Sequence, residues 1–224
     1  HLRLHEAGLS MQVTYQQSSV ELQAPILGRF NAYNVLAVLS ALLAVGVSLE
    51  QALPALAQLQ SVPGRMQQCG GGKLPLVVVD YAHTPDALEK VLMTLREQAP
   101  GQLICLFGCG GERDTGKRPL MGSVAAALAD QIIVTSDNPR SESPEAIIAE
   151  VLQGMNDAVY QVQPDRAQAI KLAILSAQPG DIVLLAGKGH ERYQEVAGVK
   201  QPFDDVEQAR LALQQYRMRQ GVPA

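Results

Sequence analysis

The chain has 224 residues, 47% hydrophobic and 18% charged, with a formal charge of −4. That is enough apolar material for a sizeable core in one domain or two. The acidic balance, with no Lys/Arg-rich block, excludes a general nucleic-acid binder and points to small-molecule partners.

Taken in chain order, residues 1–27 alternate apolar and polar positions in short runs, which predicts antiparallel strands. Gly28 ends that pattern. Asn31–Val45 reads as a largely buried helix, and Leu49–Leu59 as a second one, capped by Ser48 with Glu50 in its first turn. Val62-Pro63-Gly64-Arg65 and Gly70-Gly71-Gly72 break the rhythm, so a domain boundary is expected near residue 68, giving domains 1–68 and 69–224. Beyond it strands and helices alternate. The strands are Leu76–Asp80, Leu103–Phe107, Gln131–Ser136, Val159–Val162 and Asp181–Ala186; the helices are Pro85–Glu97, Pro119–Ala129, Pro144–Met155 and Ala167–Ala177. A hairpin (Tyr193–Val196, Lys200–Phe203) and a last helix, Val206–Met218, complete the chain. The fold class is α/β, a mostly parallel sheet covered on both faces.

Three cysteines lack CxxC spacing, and Cys105 sits inside an apolar run, which suits buried thiols in a reducing compartment better than disulfides or zinc. No signal peptide opens the chain, and Val35–Val47 is too short and too alanine-rich to cross a bilayer, so a cytoplasmic protein is expected. The first residue is His1, in what reads as mid-sheet, so a piece of something longer is also expected.

Ligands of such sheets sit at the carboxyl ends of the strands. Those ends here are polar: Asp80-Tyr81-Ala82-His83, Gly108 to Asp114, Asp137-Asn138-Pro139-Arg140, Pro164-Asp165-Arg166, and Gly187-Lys188-Gly189-His190-Glu191. Any one of them is an ordinary solvated turn; their convergence on one rim points to a charged, zwitterionic ligand. Gly111 to Arg118 approaches a P-loop pattern but ends in Arg where Mg²⁺ ligation needs a hydroxyl, and Gly108-Cys109-Gly110 lacks the rest of a dinucleotide fingerprint. Arg113 is the candidate binding residue of that loop, against a structural ion pair. Asp80 could accept from ribose hydroxyls and Tyr81 or His83 could stack on a base, while Thr84, Pro85 and Asp86 make a helix entry. Glu191, beside two glycines, could receive a substrate ammonium; His190 reads as structural. No Ser/His/Asp or Cys/His nucleophile arrangement and no metal-ligand set is visible.

These segments, with Gly28-Arg29-Phe30-Asn31-Ala32-Tyr33-Asn34 and Pro63-Gly64-Arg65-Met66, resemble the second half of a Mur ligase, from Gly28 to the last helix. Asp137-Asn138-Pro139-Arg140 is similar to the diaminopimelate-recognition motif of that family. The resemblance implies an ATP- and Mg²⁺-dependent ligase of peptidoglycan precursor synthesis, monomeric, adding meso-2,6-diaminopimelate to UDP-MurNAc-L-Ala-D-Glu through an acyl phosphate. It implies an amino-acid site of Arg113, Asp137, Asn138, Arg140, Gly187 and Glu191, and nucleotide contacts from Asn31, Arg65, Asp80, Tyr81 and His83. A planar guanidinium at Arg140 suits the carboxylate that distinguishes diaminopimelate from lysine. By the same resemblance, residues 1–68 are the tail of the central ATP-binding domain, and the family's P-loop, Mg²⁺ ligands and carbamylated lysine are missing from residues 1–224. The chain alone is therefore expected to be inactive. A lysine-adding or folylpolyglutamate-type ligase, or a non-catalytic amino-acid-binding module, are the alternatives.

Overall fold

A computed structural model describes residues 1–156 and 158–221. The chain forms two compact units, His1–Ser61 and Val62–Ala224.

The first unit is an antiparallel sheet of β1 (Leu2–His5), β2 (Gly8–Tyr15) and β3 (Ser18–Ala24), followed by α1 (Arg29–Ala44) and α2 (Leu49–Leu56). Leu9, Met11 and Leu22 of the sheet pack with Val35 and Leu39 of α1 and with Ala52 and Leu56 of α2. Ser48 caps α2 in a reciprocal arrangement: its side chain accepts from the Gln51 N–H, and the Gln51 side chain accepts from the Ser48 N–H.

The second unit contains a six-stranded sheet in the order β4-β5-β9-β6-β7-β8. Its strands are β4 (Gln67–Gly70), β5 (Leu76–Asp80), β6 (Leu103–Phe107), β7 (Gln131–Val134), β8 (Tyr160–Val162) and β9 (Ile182–Ala186). Helices α3 (Pro85–Arg96), α4 (Lys117–Leu128), α5 (Pro144–Leu152) and α6 (Arg166–Ser176) connect them. The hairpin β10 (Tyr193–Val196) and β11 (Val199–Pro202) precedes α7 (Asp205–Gln220). Strands β5 to β9 pair in parallel, and their central members are buried throughout, as a sheet covered by helices requires. Val77, Val79, Ile104, Leu106, Val183 and Leu185 face α6 and α7 in one apolar cluster.

Two differences from the sequence reading follow from long-range pairing. Strand β4 pairs antiparallel with β5, from Gln67 opposite Val79 to Gly70 opposite Leu76. The Gly-rich run beside the expected boundary is the turn of this pair, and residue 68 lies inside the second unit. Arg166, expected on the polar rim, is fully buried. It forms a bidentate pair with Asp205 of α7, at 2.8 Å from Nε to Oδ1 and 2.7 Å from Nη2 to Oδ2. The same guanidinium donates to the carbonyls of Ala186 and Ser136, and so ties together the ends of β9 and β7. Its partner lies 39 residues away in sequence, beyond the reach of any local pattern.

Candidate functional site

The carboxyl ends of β6, β7 and β9 open into three loops that lock onto one another. After β7 the chain runs Asp137-Asn138-Pro139-Arg140, and Arg140 is held at φ 55°. Left-handed backbone costs a non-glycine residue about 1–2 kcal/mol, so something must fix it there. The β10–β11 hairpin supplies the restraint. The Arg140 N–H donates to the Glu195 carbonyl at 3.1 Å, the Arg140 carbonyl accepts from the Ala197 N–H at 2.7 Å, and Gln194 Nε2 donates to the Asp137 carbonyl at 2.7 Å. The Arg140 guanidinium donates from Nη1 to the Gly111 carbonyl at 2.6 Å, with Glu195 Oε2 3.9 Å from its Nε. The side chain is 17% exposed, an arginine drawn inward yet open at the rim.

Below it, Asn138 is buried. Its Nδ2 donates to Glu191 Oε2 at 2.8 Å, and its Oδ1 accepts from Lys188 Nζ and from the Glu195 N–H, both at 3.0 Å. Asp137 is buried as well. Burial pushes its carboxyl up from the ordinary value, against the opposing pull of Arg166 and Lys188. Gly187, at φ 114°, passes so close to Asp137 that a Cβ there would meet Oδ2 at 2.6 Å. Only glycine takes that path without displacing the carboxylate.

The loop after β6 is cross-braced to the loop after β7. The Gly111 N–H donates to the Asn138 carbonyl at 2.9 Å, and Ser141 donates to Glu112 from its hydroxyl and, at 3.3 Å, from its backbone N–H. Arg118, fully buried in the first turn of α4, reaches Glu142 and Glu150, both at 2.9 Å, and the Gly110 carbonyl at 3.3 Å. Arg113 stands exposed at the edge of this brace, its side chain and the Arg140 guanidinium both close to Gly110. The structure thus links Asn138, Arg140 and Glu191 by hydrogen bonds, with Asp137 3.9 Å from Lys188, Gly187 close against Asp137, and Arg113 outside the bonding but adjacent. Sequence reasoning missed Lys188 and Arg118. Their neighbours in the chain gave Lys188 a motif, but Arg118 had no signal, since both its acidic partners are distant in sequence.

A second cluster lies at the end of β5. Tyr81 packs edge-on against His83 at 4.6 Å and tilted against His190 at 5.1 Å, and the Arg65 guanidinium lies 5.0 Å from the Tyr81 ring centroid. Arg65 and His83 are exposed. Asp80 is buried and already occupied: Oδ2 accepts from the Met66 N–H and Oδ1 from the Ala82 N–H, each at 2.8 Å. Its carboxylate therefore fastens the Pro63-Gly64-Arg65 loop beside the ring cluster. Burial raises its pKa against those two donors. Asn31 belongs to the first unit, where its Nδ2 donates to the Leu27 carbonyl at 2.7 Å and its Oδ1 accepts from Asn34. Among the described residues no group of three or more His, Cys, Asp or Glu could hold a metal ion.

The family description "Mur ligase, glutamate ligase domain" matches residues 64–189, more than half of the chain. The chain belongs to the Mur ligase family. Curated relatives of this Mur ligase chain include the UDP-N-acetylmuramoyl-L-alanyl-D-glutamate–2,6-diaminopimelate ligases of Chromobacterium violaceum, 54% identical over 208 residues, and Pseudomonas aeruginosa, 54% identical over 212. These alignments cover 92% and 94% of the chain but 42% and 44% of the relatives, so the chain spans less than half their length. A solved structure with the same name superposes with a TM-score of 0.81 at 45% identity, over 96% of this chain and 44% of that one. The folylpolyglutamate synthase of Thermotoga maritima shares the fold alone, with a TM-score of 0.61 at 20% identity over 84% of this chain and 42% of that one.

Proposed function

We propose that this chain supplies the amino-acid site, and part of the nucleotide site, of an ATP-dependent ligase that adds meso-2,6-diaminopimelate to UDP-MurNAc-L-Ala-D-Glu. The observation that carries the reading is Arg140: a strained backbone, held by a hairpin, keeps a half-withdrawn guanidinium at the strand-end rim. Strain of that kind persists where the surroundings over-determine it, and a binding clamp is a reason for it to exist. Diaminopimelate carries a distal carboxylate that lysine lacks. A fork-shaped guanidinium pairs with a carboxylate through two parallel bonds; lysine would offer no carboxylate to the donors that the Gly111 carbonyl leaves free.

In this reading Arg140 binds the distal carboxylate, Glu191 receives an ammonium, and Asn138 orients Glu191. Arg113, exposed beside Arg140, takes the other carboxylate. Asp137 acts from below, as a buried counter-charge to Lys188 rather than as a direct ligand. Arg65, Tyr81 and His83 provide cationic and stacking surface for the nucleotide, and Asp80 anchors their loop; Asn31 is assigned to the adenine. The ligase chemistry joins the substrate amine to an acyl phosphate, a step that gains most from fixing the amine in place. ATP-dependent chemistry in this family involves Mg²⁺. Among the described residues no group of three or more His, Cys, Asp or Glu could hold that ion. Residues 1–61 are assigned to the tail of the ATP-binding domain, and the chain by itself is inferred to be inactive. No helix among the described residues is long and apolar enough to cross a membrane.

The test is ligation by the complete enzyme that carries this chain, supplied with ATP, Mg²⁺, UDP-MurNAc-L-Ala-D-Glu and an amino-acid panel, with products weighed by mass spectrometry. Incorporation of diaminopimelate is the expected result. Equal incorporation of lysine would remove the specificity argument, and turnover by the 224-residue chain alone would remove the inference of inactivity.

A further inference from the structure

Lys188 is fully buried, and the roles given above do not require its ammonium to touch substrate. Taking such a charge out of water costs several kcal/mol unless its donors are well matched, so its partners matter. Its Nζ lies 3.0 Å from Asn138 Oδ1, 3.4 Å from Glu191 Oε2 and 3.9 Å from Asp137 Oδ1. The Tyr193 ring lies 5.7 Å away.

An ammonium donates and never accepts. The oxygen of the Asn138 amide must therefore face Lys188, and the Glu195 N–H, donating to the same oxygen, enforces that choice. With Oδ1 fixed, Nδ2 is fixed on the other side, where it donates to Glu191 Oε2. Both of these contacts to Glu191 fall on Oε2. Oε1 is left for a ligand at the rim, where the side chain is 22% exposed.

We propose that Lys188 is a positioning residue for the amino-acid substrate, setting the Asn138 amide and the Glu191 carboxylate in the one arrangement that receives the substrate's ammonium. The inference rests on reading this cluster as the amino-acid site. Without the Lys188 ammonium, the Asn138 oxygen keeps the Glu195 N–H as its one remaining donor and Glu191 Oε2 loses its cationic partner at 3.4 Å, so the carboxylate is held by the Asn138 amide alone and drifts from its place.

The experiment compares Lys188→Met with the wild type in the complete ligase. A hydrogen bond to a charged group is worth enough that the KM for diaminopimelate should rise at least about tenfold, with the KM for ATP and kcat within about twofold. The double variant Lys188→Met/Glu191→Gln should be no worse than Glu191→Gln alone, because both changes remove one arrangement. A merely structural role would lower kcat and add to the Glu191→Gln loss, and that pattern would overturn the inference. An unchanged KM for diaminopimelate in an active variant would overturn it too. Failure of the wild type to use diaminopimelate at all would instead overturn the reading on which it rests. Should Lys188→Met not fold, the side-chain amide of Asn138 in the wild-type chain decides by NMR. Both of its protons are expected to exchange with water far more slowly than those of the exposed Asn34 amide, and exchange as fast as that of Asn34 would contradict the proposal.

Discussion

Asp205→Asn should destabilise the second unit severely. Arg166 and Asp205 are both fully buried, and their two parallel bonds of 2.8 and 2.7 Å leave the guanidinium no solvent to fall back on. Asparagine keeps the volume but removes the charge and can accept at one oxygen only. Breaking a buried pair from one side costs about 3–5 kcal/mol, because the partner charge stays buried without compensation. For a domain of this size that is a fall in Tm of about 6–20 °C. The loss should also reach the site, since Arg166 holds the Ser136 and Ala186 carbonyls immediately before Asp137 and Gly187. Urea unfolding followed by far-UV circular dichroism measures the cost. The pair Lys90–Asp86, 72% and 73% exposed, serves as the control: Lys90→Ala should change stability by less than about 0.5 kcal/mol. A loss below about 1 kcal/mol for Asp205→Asn would refute the argument, because the Arg166 charge would then be satisfied by something other than Asp205.

Gly64→Ala should separate the Pro63-Gly64-Arg65 loop from the loop after β9. Gly64 has φ 69°, and a Cβ there would lie 2.1 Å from the His190 nitrogen; a rise in the KM for ATP with a stability loss of about 1–2 kcal/mol or more is expected, and an unchanged enzyme would contradict the assignment of Arg65 and Tyr81. Burial pushes the Cys105 and Cys109 thiols up to about 12, so at pH 8 only about one molecule in ten thousand carries either thiolate. Iodoacetamide should leave both unmodified in the folded chain and label them after denaturation, as peptide mapping would show. Ser48→Ala removes half of the capping box of α2 and should cost the first unit about 1 kcal/mol in urea unfolding.

Much of the fold was legible because its signals are local. Continuous β-branched runs such as Leu76-Val77-Val78-Val79 mark buried parallel strands, and Thr84-Pro85-Asp86 marks a helix start that the structure caps as expected. Strand β4 was not legible: Gln67-Gln68-Cys69-Gly70 has no alternation, and it becomes a strand only because the exposed edge of β5 is there to pair with. At the candidate site, the strand-end rule pointed to these loops and the resemblance named Arg140, Asn138 and Glu191, which are linked by hydrogen bonds. What the sequence could not carry is which ionisable groups turn inward. Asp137 and Lys188 sit among rim residues yet are buried, whereas Arg113, one loop away, is exposed. That division depends on side-chain direction and on partners as far as 57 residues away, such as Glu195 for Asn138.

The proposed specificity turns on Arg140. The decisive measurement is the ratio of kcat/KM for meso-diaminopimelate to that for L-lysine, in the wild-type ligase and in Arg140→Ala. A site built around a charged partner should favour diaminopimelate by roughly ten-thousandfold, and the substitution should bring that ratio down to about tenfold or less, chiefly by losing diaminopimelate. A ratio that survives the loss of Arg140 would place the recognition of the distal carboxylate elsewhere.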